Sequence, residues 1–362
     1  MTNLNTCNIS KIYVPFTLLT LTFAILFSSK TVASCFGLGG SEGLNNYCVL
    51  NAINGKTINH QTATAIDARL RRAGSGLGLN LPNAEPVEKI TTSYSIRPVL
   101  RYSNNINGGN SAKPLVLGKA VFRTDEALYR ISGTVAGLAL GLNGRTIYGE
   151  GKYLTFGLNT EYALSTSTDD KIISTSANIC SFNHLGQLWY LSGCANKYVS
   201  RKTITDNSGS DVKLMMSHIL TGASKKHHEL KVGVKRLFTK SYTQDQLILG
   251  VETLHLNNVF TSLEVTVGKP VPDELVTHIA VTGRATFKVA GKPLSLTAST
   301  FKGAGGLVLG SVLNSKGASI SASYPVWRNL TATIGYSKND STIDYFDSAT
   351  PTIGIQFSGI QF

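Results

Sequence analysis

The triplet His227-His228-Glu229 places two imidazoles and a carboxylate in a row, and these are donor types that bind zinc. The row is expected at a solvated turn. On a strand, adjacent side chains point to opposite faces, so one ion could not take both histidines. No Cys/His set with zinc-ligand spacing accompanies the triplet. Asp169-Asp170 and the group Asp340, Asp344 and Asp347 sit in polar connecting stretches, where calcium binding or bridging to lipopolysaccharide is the chemistry on offer and solvated loop charge is the plainer reading. Serine, histidine and acidic residues are all present, but no local motif groups them as nucleophile, base and orienting acid. The expectation is a protein that is not an enzyme, with no catalytic residue, no metal and no cofactor.

The cysteines depend on what happens to the N-terminus. Ile12 to Phe27 is an apolar run after Lys11, followed by Ser28-Ser29-Lys30-Thr31-Val32-Ala33-Ser34-Cys35. This reads as a signal peptide, residues 1–34, cleaved after Ser34, and the run with Pro15 inside it is short for a spanning helix. Val32-Ala33-Ser34-Cys35 also has the form of a lipobox, in which Cys35 would carry lipid. Cys7 leaves with the signal, so Cys35, Cys48, Cys180 and Cys194 enter an oxidising compartment. Cys35 with Cys48 is the favoured disulfide, closing a Gly-rich loop. If Asn183-His184-Leu185-Gly186 is a four-residue turn, Cys180 and Cys194 point to opposite faces and lie beyond the roughly 7 Å Cα separation that a disulfide tolerates.

From residue 93 the side-chain period is two. Leu330, Ala332, Ile334 and Tyr336 alternate with Thr331, Thr333 and Gly335. Ala318, Ile320, Ala322 and Tyr324 alternate with serines, and Ile353, Ile355 and Phe357 with Thr352, Gly354 and Gln356. Further strands are expected from Ser93 to Asn104, Leu115 to Thr124, Leu128 to about Tyr148, and onward to Phe301. The fold class is all-β, a transmembrane antiparallel up-and-down β-barrel of about fourteen strands. Sixteen is the alternative, if the chain turns at Asn143-Gly144. Counting back through alternating short and long connections makes Leu115 to Thr124 the first barrel strand and leaves Ser93 to Asn104 surplus. The same alternation puts the loops Ser200–Asp211, Thr239–Asp245, Lys302–Lys316 and Lys338–Pro351 outside the cell. It makes short turns such as Asn183–Gly186 and Pro325–Asn329 periplasmic, and it places Trp189 and Trp327 near the inner membrane interface. Residues 35–92 hold no persistent strand pattern and read as a periplasmic or plug segment, with a short helix over Thr62 to Ala73 and a linker from Gly74 to Glu88. Residues 93–362 form the barrel domain.

Charged residues make up only 15% of the 362, glycines number 35, and no second long apolar run exists, a composition that suits many strands and Gly-rich turns rather than membrane helices. Thirty-four Lys and Arg against 21 Asp and Glu give a net charge of +13. No basic run interleaved with stacking aromatics occurs, so nucleic acid is not an expected partner. The expected partners are outer-membrane lipid and lipopolysaccharide, the barrel assembly machinery, and an exported protein or small solute.

The stretch Arg97-Pro98-Val99-Leu100-Arg101-Tyr102-Ser103-Asn104-Asn105-Ile106-Asn107-Gly108-Gly109, the run of hairpins and the terminal Phe resemble the barrel domain of surface lipoprotein assembly modifiers. That resemblance covers Ser93 to Phe362 and implies an outer-membrane barrel that moves surface proteins. The family's better-known members add a helical-repeat periplasmic domain, and the 58 residues from Cys35 to Thr92 are too few for an array of 34-residue repeats. The ending Gly354-Ile355-Gln356-Phe357 recurs as Gly359-Ile360-Gln361-Phe362, so either Phe357 or Phe362 serves as the C-terminal assembly signal. The functional expectation is a porin-like channel or an exporter in the outer membrane of a Gram-negative bacterium, with a barrel enzyme or a secreted soluble β-sandwich as alternatives.

Overall fold

The computed structural model describes residues 38–41, 43–45, 47–48, 90–149, 151–186, 188–220, 226–255, 259–327, 329–357 and 360–361. The expected signal peptide, Cys35, the Thr62 to Ala73 helix, the linker after it and Phe362 lie outside the described residues.

Seventeen strands follow one another: β1 (Ile90–Ser103), β2 (Leu115–Leu117), β3 (Ala120–Phe122), β4 (Gly133–Gly149), β5 (Lys152–Ser165), β6 (Lys171–Gly186), β7 (Trp189–Lys202), β8 (Asp206–Leu220), β9 (Lys226–Thr239), β10 (Thr243–His255), β11 (Val259–Gly268), β12 (Val276–Val289), β13 (Lys292–Val308), β14 (Ser311–Trp327), β15 (Leu330–Ser341), β16 (Ser348–Phe357) and β17 (Ile360–Gln361). Each strand from β4 to β16 pairs antiparallel with the next. β1 closes the cylinder, bonding to β4 on one side and to β16 and β17 on the other, with Leu100 opposite Ile355 and Ser95 opposite Gln361. The result is a closed up-and-down barrel of fourteen strands, β1 and β4 to β16, in which β17 prolongs the final pairing.

The strand count agrees with the sequence reading, but the membership does not. β1 is the first barrel strand, and the stretch expected in that role forms the separate two-stranded hairpin β2–β3. Leu115–Leu117 and Ala120–Phe122 are apolar throughout, which reads as one strand, but they fold back on each other at Gly118 (φ +59) and are too few to span the wall. Nor does the chain turn at Asn143-Gly144. Gly144 lies mid-strand, opposite Thr92 and Phe156, and a methyl group there would come within 2.0 Å of the Phe156 ring. The glycine makes room for that ring and opens no hairpin.

The period of two resolves into two surfaces. Leu138, Leu140, Val212, Leu214, Val232, Val234, Leu247, Ile320, Ile334 and Ile353 point away from the lumen and are exposed. Between them Ser, Thr, Asn and charged residues point inward. Thr333, opposite Ser323 on β14 and Gly354 on β16, alternates with Ile334, which is 63% exposed. On β14 the outward positions Ala318, Ile320, Ala322, Tyr324 and Val326 are apolar, and Lys316 follows above them. Nine residues at about 3.3 Å each, tilted by about 40°, rise roughly 20 Å, close to the apolar height of a membrane barrel. A soluble sandwich would hide this surface between two sheets. Here it faces outward all round one closed sheet, with every strand edge paired, so the barrel is built for a bilayer.

The barrel has a terminal rim, where β1 begins and β16 ends, and a loop rim opposite. At the terminal rim the connections are short, and Ala290 (φ 49) with Gly291 (φ 77) make a tight two-residue turn. At the loop rim the expected long loops are mostly shorter than the sequence suggested. The Ser200–Asp211 stretch keeps pairing until Arg201 opposite Asp206, and Lys302–Lys316 pairs out to Val308 opposite Ser311, turning at Leu309 and Gly310. The physical reason is that a ladder leaving the bilayer continues in water, where polar outward residues are no obstacle. Polarity therefore marks where the membrane stops rather than where the strand stops. The longest loop-rim connection, residues 104–132, holds β2–β3 and a 3-10 turn at Glu126–Leu128. Residues 342–347 hold another at Asp344–Phe346.

Candidate functional site

The wall facing the lumen carries ionised groups from several strands. Arg101 on β1 meets Glu161 on β5 at 2.7 Å, with 38% and 23% of the two side chains exposed, so this pair lies in water inside the barrel. Toward the terminal rim, Glu229 on β9 and Glu252 on β10 stand opposite each other, and Lys231 Nζ lies 2.6 Å from Glu252 and 3.7 Å from Glu229.

A segment from far up the chain enters this mouth. Leu38, Leu44 and Cys48 are buried against the inward-facing Ile219, Leu254 and Phe260, with Tyr47, Leu188 and Tyr190 packed around them. The Ser41 amide donates to Glu252 Oε2 at 2.8 Å, and its hydroxyl donates to Glu229 Oε2. The Ser41 hydroxyl also accepts from the Leu44 amide, where residues 43–45 are helical. A methyl group on Gly43 would come within 2.9 Å of the Tyr190 ring, so close docking needs glycine at that point. The described part of residues 38–48 is thus a short plug seated in the barrel's terminal mouth.

The loop rim is narrowed in a different way. After β1 the chain folds inward, and Ile106 is fully buried against Val135, Ala163 and Ile172 on β4, β5 and β6. Asn107, 2% exposed, accepts from the Gly109 and Ile131 amides and donates to the Tyr129 carbonyl. The Lys202 ammonium donates to the Asn105 carbonyl at 2.7 Å, and the Ile204 amide to the Asn107 carbonyl at 2.8 Å, tying this inward loop to the β7–β8 turn. The conspicuous Asn-rich part of the Arg97 to Gly109 stretch is therefore a knot of side-chain hydrogen bonds at the mouth.

Between the plug and the barrel wall lies a cavity of about 610 Å³. One wall is aromatic: Tyr153 on β5 stacks on Phe182 on β6 at 4.9 Å, and His184 stacks on Tyr190 at 4.9 Å. The Arg145 guanidinium covers the Tyr153 ring at 3.6 Å. Opposite in character are Glu229, Glu252 and Glu264 with Lys213, Lys231 and Arg284, all lining the same space.

The residues singled out in the sequence fall as follows. His227 and Glu229 point inward, each 2% exposed, while His228 points outward and bonds Thr253 at 2.9 Å, so adjacent positions do take opposite faces. The triplet lies within β9 and not at a solvated turn, and its carboxylate meets the plug. Among the described residues no three His, Cys, Asp or Glu groups are placed to hold a metal. Cys48 is disulfide-bonded, and its expected partner Cys35 is outside the described residues. Cys180 and Cys194 are bonded to each other, their Cα atoms 4.1 Å apart, which corrects the sequence reading. Asn183 to Gly186 remains in the strand, the chain turns at Leu188, and a register shift between His184 and Gly186 brings the two cysteines opposite each other. Trp189 and Trp327 both point outward at the terminal rim, 40% and 74% exposed, and Trp189 stacks on His218 at 4.2 Å. Phe357 ends β16 opposite Leu330. The sequence reading missed Ser41, Glu252 and the aromatic wall. Only the Gly-rich run around Gly39, Gly40 and Gly43 hinted that a backbone would approach something closely.

No protein-family model matches the chain, and no curated protein does. Among solved structures the chain is similar to a BenF-like porin from Pseudomonas fluorescens Pf-5 (7% identity, TM-score 0.40, covering 75% of this chain and 99% of that one). It is also similar to Acinetobacter baumannii OccAB2 (8% identity, TM-score 0.40, 75% and 98%) and Pseudomonas aeruginosa OccK9 (8%, 0.39, 75% and 98%). Likeness at this level carries no argument about function. The barrel stands on its own pairings.

Proposed function

We propose that the chain is an outer-membrane channel of a Gram-negative bacterium that passes small polar solutes, with the loop rim outside the cell and the terminal rim in the periplasm. The observation that carries this reading is the partly exposed ion pair of Arg101 and Glu161 inside a closed barrel, since charges tolerated within a lipid-facing cylinder mean a wet lumen. Fourteen strands spaced about 4.8 Å apart and tilted about 40° enclose a backbone cylinder roughly 28 Å across, wider than side chains alone would fill. The partners in this reading are bilayer lipid and lipopolysaccharide around the wall and the assembly machinery that inserts the barrel. The lipoprotein-moving role implied by the resemblance of Arg97 to Gly109 is the finer alternative. The plug and the inward loop, which narrow both mouths, favour a small solute over a protein. Protein refolded into detergent and added to a planar bilayer is expected to give discrete conductance steps, more frequent in Leu44→Asp, which places a charge where the plug is fully buried. Silent membranes from both folded proteins would overturn the channel.

A further inference from the structure

We propose that the outward face of the loop rim over β11 to β14 binds one molecule of lipid A, the diphosphorylated lipid of lipopolysaccharide. Lys302 and Lys316 take one phosphate, Lys269 and His278 face the other, and the acyl chains lie on the apolar wall below. The site rests on the orientation proposed above, with the loop rim outside the cell, and it assigns the lipid contact to named residues.

Lys302 on β13 and Lys316 on β14 stand directly opposite each other. Both are exposed, and both point outward, because Lys316 shares its face with Ala318 and Ile320. Their Cβ atoms lie about 5 Å apart, and like charges at such positions destabilise a ladder. A phosphate bridging the two ammonium groups removes that repulsion. Neither ammonium has a hydrogen bond or ion pair among the described residues, and Asp340, across from Lys316 on β15, is held by Lys338 at 2.9 Å. The pair is open to an anion from outside.

The surroundings select an anion that carries acyl chains. Ile279, directly opposite Lys302, and Val281 line a groove of about 650 Å³ together with both lysines. Below Lys316 every outward position of β14 from Ala318 to Val326 is apolar, so the charge sits where the hydrocarbon-facing wall ends. Free phosphate would use the lysines and leave the groove bare. A second groove of about 840 Å³ follows on the neighbouring strands, with Val234, Leu247 and Val267 along it and Lys269 and His278 at its edge. His278 is exposed in the bulge between Thr277 and Ile279, on the strand between Lys269 and Lys302. Arg236, also on this groove, is taken by Asp245 at 2.6 Å. Lys269 and Lys302 lie two strand spacings apart, about 10 Å, and a disaccharide with a phosphate at each end reaches from one to the other. A phospholipid, with one phosphate, would fill only one of the two cationic positions.

The test uses the full chain refolded in detergent, with native mass spectrometry following bound lipid across a titration. Diphosphoryl lipid A is the probe, and monophosphoryl lipid A and phosphatidylglycerol are the comparisons. The expected result is saturable binding of one diphosphoryl lipid A per chain, weaker binding of both comparisons, and affinity lower by roughly tenfold or more in the Lys302→Gln, Lys316→Gln double variant. Heat-modifiable gel mobility checks its folding, and Lys302→Gln alone, expected to bind several-fold more weakly, carries the test if the double variant does not assemble. Lys152→Gln, which removes an exposed charge at the terminal rim, is expected to bind as wild type does. No saturable binding, unchanged affinity in the folded variants, an equal loss in Lys152→Gln, or equal binding of either comparison lipid overturns the site. An epitope after Leu309 that antibody reaches only after permeabilisation overturns it too, because the groove would then face the periplasmic leaflet. Conductance measured on the same preparation separates the two readings. Steps without lipid A binding leave the channel and remove the site. Lipid A binding without steps, in wild type and Leu44→Asp alike, keeps the site and removes the channel.

Discussion

Glu229 on β9 and Glu252 on β10 face each other directly across the ladder, and Ser41, 188 residues before the first and 211 before the second, donates one hydrogen bond to each. Two carboxylates this close would repel; Lys231 and the two Ser41 donors offset that repulsion, so plug seating and charge balance depend on one another. Replacing Ser41 with Ala removes the hydroxyl without adding bulk, and leaves Glu229, 2% exposed, short of a donor at a cost of about 1–3 kcal/mol. The expected outcome is a plug that leaves its seat more often, read as a several-fold rise in bilayer open probability with unchanged step size. An unchanged open probability would show that the apolar contacts of Leu38, Leu44 and Cys48 alone hold the plug.

The Cys180–Cys194 bond closes a hairpin whose strands are already paired on both sides. The chain-entropy value for a loop of about 15 residues is roughly 3 kcal/mol. Because the ladder and its neighbours restrain the same hairpin, a smaller loss of about 1–2 kcal/mol is expected for the Cys180→Ser, Cys194→Ser double variant. Urea unfolding in lipid vesicles measures it. Without reductant, neither cysteine is expected to take up an alkylating reagent in the unfolded chain, and alkylation of either would contradict the pairing.

Much of the barrel was readable from its two-residue period, because a lipid-facing wall demands apolar residues at every second position, as Ala318 to Tyr324 on β14 and Leu330 to Tyr336 on β15 show before Lys316 and Lys338 mark where the membrane stops. The identity of the first strand was not readable. The β2–β3 hairpin is apolar at all six paired positions and so reads as a strand, and only closure against β16 marks β1 as the first. The cysteine pair was missed because polarity suggested a turn at Asn183 to Gly186, whereas the turn falls two residues later, at Leu188 with φ 67. The lumenal site was nearly invisible. Its halves are joined by contacts between residue 41 and residues 229 and 252, and no local pattern signals a partner that distant. Glu229 was noticed only as a neighbour of two histidines.

Tryptophan depth offers a check on the membrane frame. Trp189 and Trp327 point outward beside terminal-rim turns, level with Tyr324, whose hydroxyl donates to the Val289 carbonyl. Indoles favour the interface, where ring and N–H find different surroundings. Lipids brominated near the headgroup are expected to quench both residues more than lipids brominated at the chain ends. Stronger quenching from the chain ends would move the terminal rim into the hydrocarbon.

Orientation is tested at two hairpin tips of the same build. Leu309-Gly310 lies at the loop rim and Ala290-Gly291 at the terminal rim, each a two-residue turn with both φ angles positive, so an inserted epitope meets similar local geometry at either site. On intact cells an epitope after Leu309 is expected to bind antibody and one after Ala290 to bind only after permeabilisation. The reverse pattern would turn the barrel over and put the plug at the cell surface.

The face assignment is the most direct test of the barrel in a membrane. Ile334 points outward and is 63% exposed, while its neighbour Thr333 points into the lumen, near enough for its hydroxyl to lie 2.9 Å from that of Ser323. An arginine near the bilayer midplane on the lipid face costs roughly 2–4 kcal/mol, and much less where water reaches it. Ile334→Arg is therefore expected to lose heat-modifiable mobility and assembled protein, whereas Thr333→Arg, which gives up one hydroxyl contact of about 1 kcal/mol, folds nearly as well as wild type. A soluble barrel with a dry core would invert the order, because there Thr333→Arg buries the charge and Ile334→Arg leaves it in solvent. Equal folding of both variants in micelles and in lipid vesicles would mean that neither face meets hydrocarbon, and the exposed apolar wall would then need another partner.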